Sequence, residues 1–387
     1  MSRSRRHLDG AVLDLTRRRG VVTRLELAED LEVTPATITN VVKRLLADDL
    51  LIETGYSAST GGKRRTLLRL NPASRYAVGL SLDPTRLMLA LTDFAGTLVG
   101  RAVTPMPAAG DLEDVIDERL SLTLRAVGVA PEAVAGFGIV STPNRPDPWL
   151  PSDPATADLA SQAAQRLRTA AGRPVIVGDE ASCAAMGELW ARSAGTERRF
   201  ATVYMSDQLS AGIALHGRVN DAVPRGNFGH MSIDRNGPPC PCGSRGCIDV
   251  LASPAAVVAQ VLTNPAHAVR LGLSGTPAGL VADFSRIARG AMQGDRTCAA
   301  AITDAASALA VGIANLVTVL GLEQVILSGP GFVEAGGLYE RVIGERLNQL
   351  RRVGSPAAAV TLSALDLGLE AATIGAAALV LQASVAD

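Results

Sequence analysis

The sequence predicts a small N-terminal helical domain with a β-hairpin, followed by a larger body of two mixed α/β lobes. Three observations support this fold class. Helical patterns with a capped third helix fill the first fifty residues, strand and helix patterns then alternate twice in a similar order, and a loop rich in Cys, Pro and Gly interrupts the second series. A chain of 387 residues that is 47% hydrophobic can bury a core of this size.

Composition argues against several classes of protein. No run approaches the ~20 uninterrupted apolar residues that a membrane span requires, and the sequence begins without a secretory signal. We therefore expect a soluble cytoplasmic protein without a membrane partner. Residues 1–70 contain thirteen Lys and Arg against nine Asp and Glu, whereas the rest of the chain is acidic. A basic N-terminal region on an acidic body indicates that only the N-terminal region binds a polyanion.

The first three predicted helices begin near the N-terminus. Leu8–Arg18 and Arg24–Leu31 place apolar residues at helical spacing, and Thr34 is a suitable N-cap for a third helix with Pro35 at its first position. An apolar stripe along this third helix is expected to face inward, and it consists of Ile38, Val41, Val42, Leu45 and Leu46.

The opposite face of the third helix is then exposed. Small and amide side chains stand at its front and basic ones behind, which suits a helix whose N-terminal end enters the DNA major groove while its flank meets phosphates. The predicted DNA-binding residues on this helix are Thr34, Ala36, Thr37, Asn40, Lys43 and Arg44.

A β-hairpin follows the third helix, with Leu51–Thr54 predicted to pair with Thr66–Leu70. Its tip concentrates positive charge at Lys63, Arg64 and Arg65, and such a wing contacts DNA backbone or minor groove. The alternative is a small helical domain that makes protein contacts, with these basic side chains simply solvated.

The body consists of two series of strands and helices. In the first, strands Tyr76–Leu82, Leu87–Asp93, Thr97–Val103, Val134–Val140 and Pro174–Val177 combine with helices near Leu112–Val127, Ala155–Ala171 and Ala181–Ala194. The second combines strands Phe200–Met205, Gly212–Leu215 and Gln324–Leu327 with helices Thr297–Leu320 and Ala371–Ala383. This repetition predicts two lobes with a cleft between them and a boundary near Gly195–Phe200.

A short loop in the second series carries metal-binding residue types. Three cysteines follow one histidine within seventeen residues, and Pro and Gly separate them; the four are His230, Cys240, Cys242 and Cys247. Three thiolates and one imidazole complete a tetrahedral zinc shell, the pattern of a structural site. Burial as small hydrophobes and a disulfide are the alternatives, but a Pro/Gly loop buries thiols poorly and the cytosol is reducing.

These motifs resemble a known family. The stretches LELAEDLEVTPATITNVVKRLLADDLLIETG, TGGKRRTLLRLNP, GHMSIDRNGPPCPCGSRGC and LGLEAATIGAAAL are similar to those of the ROK family of repressors and sugar kinases, in its repressor branch. The resemblance extends over nearly the whole chain, and the zinc loop is its most specific part.

The resemblance implies a winged helix-turn-helix domain at 1–72 ahead of an actin-like, ribonuclease-H-like ATPase fold. The first lobe is then 73–196, closed by a C-terminal helix at 370–387, and the second lobe is 197–369 with the zinc loop. It also implies a structural Zn²⁺ as cofactor.

The sequence departs from the family pattern where ATP phosphates bind. Ser81 replaces an acidic residue and Asp83-Pro84 replaces two glycines, although only glycine lets backbone N–H groups approach phosphate closely. The second loop, Ser206–Gly212, keeps one glycine, whereas Ser328–Gly331 after the later strand keeps its glycines. We therefore expect a kinase-like body that is not an enzyme.

The sugar-binding positions implied by the resemblance have also changed. Asp179 and Glu180 occupy the place of an Asn-Asp pair, so Glu180 is at most a vestigial catalytic base, and acids at a helix N-terminus are the alternative reading. Asn227 and Asp249 each replace a glutamate, while His230 is retained. These five residues are the predicted effector site.

The predicted function is that of a DNA-binding transcriptional regulator, and we expect it to be a repressor. Its partners are a double-stranded DNA operator, a sugar or sugar-derivative effector, and a second copy in a homodimer or higher oligomer. The alternatives are an ATP-dependent sugar kinase with an appended DNA-binding domain, and a body that binds no ligand and serves only for dimerisation.

Overall fold

A computed structural model describes residues 2–58, 64–83, 86–107, 110–141, 163–165, 167–168, 172–191, 199–219, 227–352, 358–365 and 370–386. Its N-terminal region contains three helices and a small antiparallel sheet. The helices are α1 (Ser2–Arg19), α2 (Arg24–Asp30) and α3 (Pro35–Ala47), and the strands are β1 (Val22–Thr23), β2 (Leu51–Tyr56) and β3 (Thr66–Leu70), in the order β1-β3-β2.

Local capping explains where the N-terminal helices begin. Thr23 and Glu26 form a capping box at the start of α2, in which each side chain accepts a bond from the other's backbone N–H. At α3, the Thr34 side chain accepts from the N–H of Thr37 at 3.3 Å, and Pro35 stands at the first position. The predicted start of the third helix is therefore confirmed.

The first sheet of the body has five strands in the order β6-β5-β4-β7-β8. They are β4 (Tyr76–Leu82), β5 (Arg86–Asp93), β6 (Leu98–Pro105), β7 (Val134–Ser141) and β8 (Val175–Asp179), and helix α4 is Leu112–Val127. The first three strands pair antiparallel, whereas β7 and β8 continue parallel to β4.

The second sheet repeats this topology in the order β11-β10-β9-β12-β13. Its strands are β9 (Phe200–Met205), β10 (Leu209–Leu215), β11 (Arg218–Val219), β12 (Gln324–Ser328) and β13 (Ala359–Leu362). Helices α6 (Ile248–Ala252), α7 (Pro254–Leu262), α8 (Pro265–Leu271), α9 (Leu280–Met292), α10 (Arg296–Leu320) and α11 (Gly336–Arg352) accompany it. The body is thus a mixed α/β structure with two sheets of the same strand order.

Two further helices, α5 (Glu180–Ala191) and α12 (Ala371–Ala386), lie between the sheets. Glycines on the strands allow them to come this close. A Cβ at Gly138 of β7 would lie 1.9 Å from the carbonyl oxygen of Ala376, and one at Gly212 of β10 would lie 2.0 Å from that of Ala181. Helix α12 therefore packs on the first sheet and α5 on the second.

The N-terminal region shares a hydrophobic core with the body. Buried side chains of α1, α3 and β3 form one cluster with Ala77, Phe94 and three residues of α12, which are Ala377, Val380 and Leu381. Because apolar contact is continuous across this boundary, the N-terminal region is docked on the body rather than tethered beside it.

Helix α10 has the length and apolar composition of a membrane span, and within the described residues it is the single helix that does. More than half of its most apolar window is buried inside the protein, in the core that it forms with β9, β12 and α9. A core helix satisfies the same criterion, so this helix is weak evidence for a membrane protein.

Several strand and helix limits differ from those predicted. Strand β10 begins at Leu209 rather than Gly212, and α5 begins at Glu180 rather than Ala181. The predicted helix at 155–171 and the predicted boundary at 195–200 lie mostly outside the described residues.

Candidate metal centre and cleft

The four predicted metal ligands come together in the loop after β11. A 3-10 turn at Asn227–His230 supplies His230, and the following loop, which ends where α6 begins, supplies the cysteines. Their donor atoms all lie within 4.8 Å of one another. The structure therefore contains a His/Cys3 cluster that is able to hold a metal ion.

The distances within the cluster suit a tetrahedral ion. Cys240 Sγ lies 3.4 Å from His230 Nδ1, and Cys242 Sγ lies 3.6 Å from Cys247 Sγ. With Zn–S bonds of about 2.3 Å and Zn–N bonds of about 2.0 Å, tetrahedral edges are roughly 3.8 Å between sulfurs and roughly 3.5 Å between sulfur and nitrogen. The sulfurs are too far apart for a disulfide, and all five cysteines are free.

Backbone geometry holds the loop in this shape. Cys240 N–H donates to the carbonyl of Ser244 at 2.8 Å, which closes a tight turn around Cys242. Gly246 adopts a positive φ of 57°, and a Cβ there would lie 1.9 Å from the carbonyl oxygen of Asp234. The glycine is required by its left-handed conformation and by this close approach.

The thiols differ in acidity when no metal is bound. Burial raises the pKa of Cys240 and raises the pKa of Cys247 to about 12, whereas the backbone N–H of Ser244 lowers the pKa of Cys242. A metal ion would therefore displace thiol protons as it binds.

Asp249 is held beside the metal cluster. Its carboxylate accepts a hydrogen bond from the N–H of Leu209 at 3.0 Å, at the start of β10. It also fills the space over Gly229, where a Cβ would lie 2.2 Å from a carboxylate oxygen. The carboxylate is thus fixed against the turn that carries Asn227, which is exposed, and His230, which is half-buried.

Asp179 and Glu180 lie across the β9–β10 turn from this group. Asp179 accepts from the N–H of Ser182 at 2.9 Å, so it caps α5. Glu180 accepts from the hydroxyl of Ser206 at 2.9 Å, and the same hydroxyl lies 3.1 Å from a carboxylate oxygen of Asp207. The first acid is a helix cap, as the alternative proposed, while the second links α5 to the second sheet.

Ser206 and Asp207 were not predicted as site residues. The lack of glycines in this turn argued against phosphate binding by its backbone, but it gave no information about the partners of its side chains. The turn's polar composition, Ser-Asp-Gln, was the available sign that it bonds to neighbouring elements.

The first phosphate-loop position is occupied by a carboxylate that bonds within its own hairpin. Asp83 accepts from the Arg86 N–H at 2.9 Å and from its Nε at 2.8 Å. Burial raises the pKa of Tyr204 well above its ordinary value, and the charge of Glu180 adds to this.

The glycines in the other two loops contact protein. Gly212 was predicted both to end the second loop and to begin a strand; it lies inside β10, where it permits the approach of α5, so the loop assignment is wrong and the strand assignment is confirmed. At the third loop, a Cβ on Gly329 would lie 2.7 Å from the carbonyl oxygen of Met205, and one on Gly331 would lie 2.5 Å from its side chain. The retained Gly-Pro-Gly thus accommodates Met205.

The predicted DNA-binding side chains of α3 lie on its exposed face. Those of Thr34, Ala36, Thr37, Asn40, Lys43 and Arg44 are all exposed, while the predicted inward stripe is buried except for Leu46, which is half-buried. Arg44 pairs with Asp9 of α1 at 2.6 Å, so a phosphate would have to compete with that carboxylate. In the hairpin, Arg64 and Arg65 are exposed, and Lys63 lies outside the described residues.

A second group of residues of metal-binding types has ligand atoms that also lie within 4.8 Å of one another. It consists of His267, Asp295 and Cys298. Arg270 Nη2 donates to His267 Nδ1 at 2.6 Å, which places the imidazole proton on Nε2 because a guanidinium has no acceptor. That nitrogen lies 3.2 Å from an Asp295 oxygen that also accepts two backbone N–H groups at the start of α10. This group is a hydrogen-bonded helix cap.

Comparison with known proteins identifies the family. The model of the ROK family matches residues 78–383, which is most of the chain. This chain belongs to the ROK family. Among its relatives, the xylose repressor of Caldicellulosiruptor bescii is 25% identical over 340 residues, covering 85% of this chain and 84% of that protein.

Two solved ROK structures show how the fold divides. A ROK family transcriptional regulator, a homologue of the E. coli MLC protein, matches with a TM-score of 0.70 at 21% identity, covering 99% of this chain and 97% of its own. A ROK hexokinase from Thermus thermophilus matches with a TM-score of 0.60 at 25% identity, covering 78% of this chain and 96% of its own. The part of this chain that the hexokinase does not match is about as long as residues 1–77, which precede the ROK family match.

Proposed function

We propose that this ROK protein is a DNA-binding transcriptional repressor whose body responds to a sugar and does not transfer phosphate. The observation that carries the proposal is the N-terminal region that precedes the ROK match. It has the element order of a winged helix-turn-helix, and α3 presents an uncovered face of small, amide and basic side chains. A relative that covers this chain beyond the ROK match is a xylose repressor.

In this proposal α3 enters the major groove, with Thr34, Ala36, Thr37 and Asn40 at the base edges and Lys43 and Arg44 on phosphates. Lys63, Arg64 and Arg65 of the hairpin contact the flanking backbone or minor groove. Two copies in a homodimer, or a higher homo-oligomer, would present two such helices to half-sites about 10 bp or a multiple apart. A cytoplasmic location agrees with a DNA partner.

The experiment is a fluorescence-anisotropy titration of the full chain with duplexes selected from random DNA, repeated at several salt concentrations. Asn40→Ala should weaken specific binding by about 1–3 kcal/mol, whereas Thr39→Ala, an exposed neighbour outside the predicted set, should change it little. Lys43→Ala should weaken binding to all sequences and reduce the salt slope by about one. Affinity that does not fall with salt would overturn the proposal.

The nucleotide side of the cleft supports a body without kinase activity. Phosphoryl transfer depends on backbone donors and a metal that neutralise phosphate charge. Here Asp83 and Asp207 add negative charge, and Met205 occupies the space beside Gly329 and Gly331. In a coupled assay with Mg-ATP and a panel of hexoses we expect no turnover. Turnover that disappears in Glu180→Ala would instead establish the sugar kinase.

The carboxylates around the candidate effector site favour an uncharged effector. Asp179, Glu180, Asp207 and Asp249 offer acceptor oxygens for sugar hydroxyls and repel phosphate groups. Asn227 and His230 would complete the site on the zinc-loop side. Calorimetric titration should therefore detect binding of an unmodified sugar from a panel that includes D-xylose, and no binding of the corresponding sugar phosphates. If no sugar raises the melting temperature or gives heat, the body is a dimerisation platform.

The metal that we propose for the His/Cys3 cluster is Zn²⁺ in a structural role. All four positions of a tetrahedral shell are supplied by His230, Cys240, Cys242 and Cys247, which leaves no open position for chemistry. Its contribution would be to fix the turn that carries Asn227 and the start of α6 that carries Asp249.

A further inference from the structure

Helix α5 continues directly from β8 of the first sheet, but its side chains and backbone pack mainly on the second sheet. Met186 and Leu189 belong to one buried cluster with Phe200, Ala214 and Ile326 from three of that sheet's strands. The hydroxyl of Ser363, just after β13, donates to the carboxylate of Glu188, which is buried.

Helix α12 packs closely on the first sheet. A Cβ at Gly79 of β4 would lie 1.9 Å from the carbonyl oxygen of Thr373, so this strand touches the helix at backbone distance. The contact of Gly138 with Ala376, on the neighbouring strand, is equally close. Side chains cannot be inserted at either strand position without displacing the helix.

The two helices cross in direct backbone contact. A Cβ at Gly375 of α12 would lie 1.7 Å from the carbonyl oxygen of Cys183, and one at Gly187 of α5 would lie 2.1 Å from that of Ala371. A change in the arrangement of the lobes must therefore rotate or slide these helices at their crossing. Beyond the crossing, α5 packs mainly on the second sheet and α12 mainly on the first.

Helix α1 of the N-terminal region contacts both of these helices. Val12 and Leu13 pack in the cluster that contains Val380 and Leu381 of α12. At its last turn, Arg17 Nη1 donates to the carbonyl of Leu189 in α5 at 3.3 Å. Its guanidinium carbon also lies 4.8 Å from the ring centroid of Trp190.

The Arg17 side chain is held firmly in this position. It is 5% exposed, and Asp14 one turn earlier accepts from its Nη2 at 3.0 Å. A planar guanidinium serves the carbonyl, the carboxylate and the indole face at once, which a lysine ammonium cannot do. The contact therefore fixes the direction of α1 relative to α5.

We propose that Arg17 is a positioning residue that transmits the arrangement of the two lobes to the DNA-reading helix. This inference rests on the proposed function. Helix α5 begins at Glu180, at the candidate effector site, and meets Arg17 at Leu189, about 14 Å further along the helix. A sugar that favours one lobe arrangement would turn α5 against α12, and α1, fixed to both, would turn α3 with it.

The test compares Arg17→Ala and Arg17→Lys with Arg19→Ala in the full-length, zinc-loaded protein. Arg19 is the matched control, since it is in the same turn of α1 and carries the same charge, but pairs with Asp30 of α2 at 2.6 Å. Two quantities are measured for each: the affinity for D-xylose and the other sugars of the panel, and the ratio of DNA dissociation constants with and without the sugar that binds.

For the wild type and Arg19→Ala we expect the DNA dissociation constant to change about tenfold with sugar, a usual size for allosteric coupling. In both Arg17 variants that ratio should fall to within about twofold of one while sugar affinity stays within about twofold of wild type. An Arg17 variant that binds sugar and keeps the full ratio would overturn the inference.

Hydrogen exchange separates this inference from the proposed function. If wild type shows no sugar-dependent DNA binding, the proposed function fails, and Arg17 is judged on amide exchange alone. Arg17→Ala should then speed exchange at both the last turn of α1 and residues 186–191 of α5, with Arg19→Ala unchanged at the latter. Unchanged exchange in α5 of Arg17→Ala would refute a positioning role.

Discussion

On the zinc-loop side, the chain holds a polar group in place beside the metal cluster, whereas on the phosphate-loop side its own atoms fill the space beside the glycines. Gly229 is small so that the Asp249 carboxylate can be fixed beside the metal cluster. Because Gly331 has no side chain, the Met205 side chain can pack directly against it. Whether a glycine makes room for a ligand or for the protein's own atoms is therefore known only when its neighbours in the fold are known.

The largest effect should follow removal of a metal ligand. Cys247→Ala opens the proposed zinc shell at a buried position, and loss of a structural metal is among the changes that exceed about 4 kcal/mol. We expect a lower melting temperature and loss of one zinc per chain by elemental analysis. Cys183→Ala, a buried thiol outside the cluster, should keep the metal, and equal zinc content in both variants would contradict the assignment.

The phosphate-loop side should respond as packed protein. Gly329 has a positive φ of 98°, and a Cβ there meets the backbone of Met205, so Gly329→Ala should lower the free energy of unfolding by about 2 kcal/mol. Gly337→Ala is the matched control, since no atom lies within 4 Å of its added Cβ and it stands in α11. Equal melting temperatures for the two variants would show that the loop is open to a ligand.

On the zinc-loop side, Asp249→Asn should act mainly on the effector. The amide oxygen can still accept from the Leu209 N–H, so the melting temperature should change little. Losing a charged acceptor should weaken sugar binding by about 1.5 kcal/mol or more, which is at least tenfold. Calorimetry checks this, with Asp234→Asn in the same loop as control. Unaltered sugar affinity would remove Asp249 from the site.

The smallest effect should come from restoring one loop toward the kinase pattern. Asp83→Gly removes a repelling carboxylate, but Met205 and the Ser206–Gln208 turn remain in place. Calorimetry with Mg-ATP should therefore detect no binding in either the wild type or the variant. A measurable affinity in Asp83→Gly alone would show that electrostatics, rather than lack of space, excludes the nucleotide.

Features set by neighbours in the sequence were predictable. The Thr34 cap, the inward stripe of α3 and the His/Cys3 cluster each depend on spacing within fewer than twenty residues, and spacing is visible in a sequence. The repeated series of strands and helices predicted two mixed α/β units, but it predicted neither β11 and β13 nor the order of strands within the sheets. What failed was the role of Gly212, because its reason is the backbone of Ala181, which no local pattern records.

Side-chain partners across elements were equally hidden. Nothing near Glu180 indicates that Ser206 donates to it, and nothing near Arg17 indicates Leu189, which lies 172 residues away. Asp249 was expected to face a ligand, but it also bonds the backbone of Leu209. Such contacts depend on how the two lobes meet, so they emerge only from the folded chain.

The placement of α12 has a consequence for the order of assembly during synthesis. Residues 199–365 hold both the strands of the second sheet and the helices on one side of it, so that lobe can form as soon as they are made. The first sheet and the N-terminal region are translated earlier, and the apolar surface that they bury against Ala377, Val380 and Leu381 stays uncovered until residues 371–386 are made. The element that we propose to read DNA is thus made first, and the surface on which it docks is completed last.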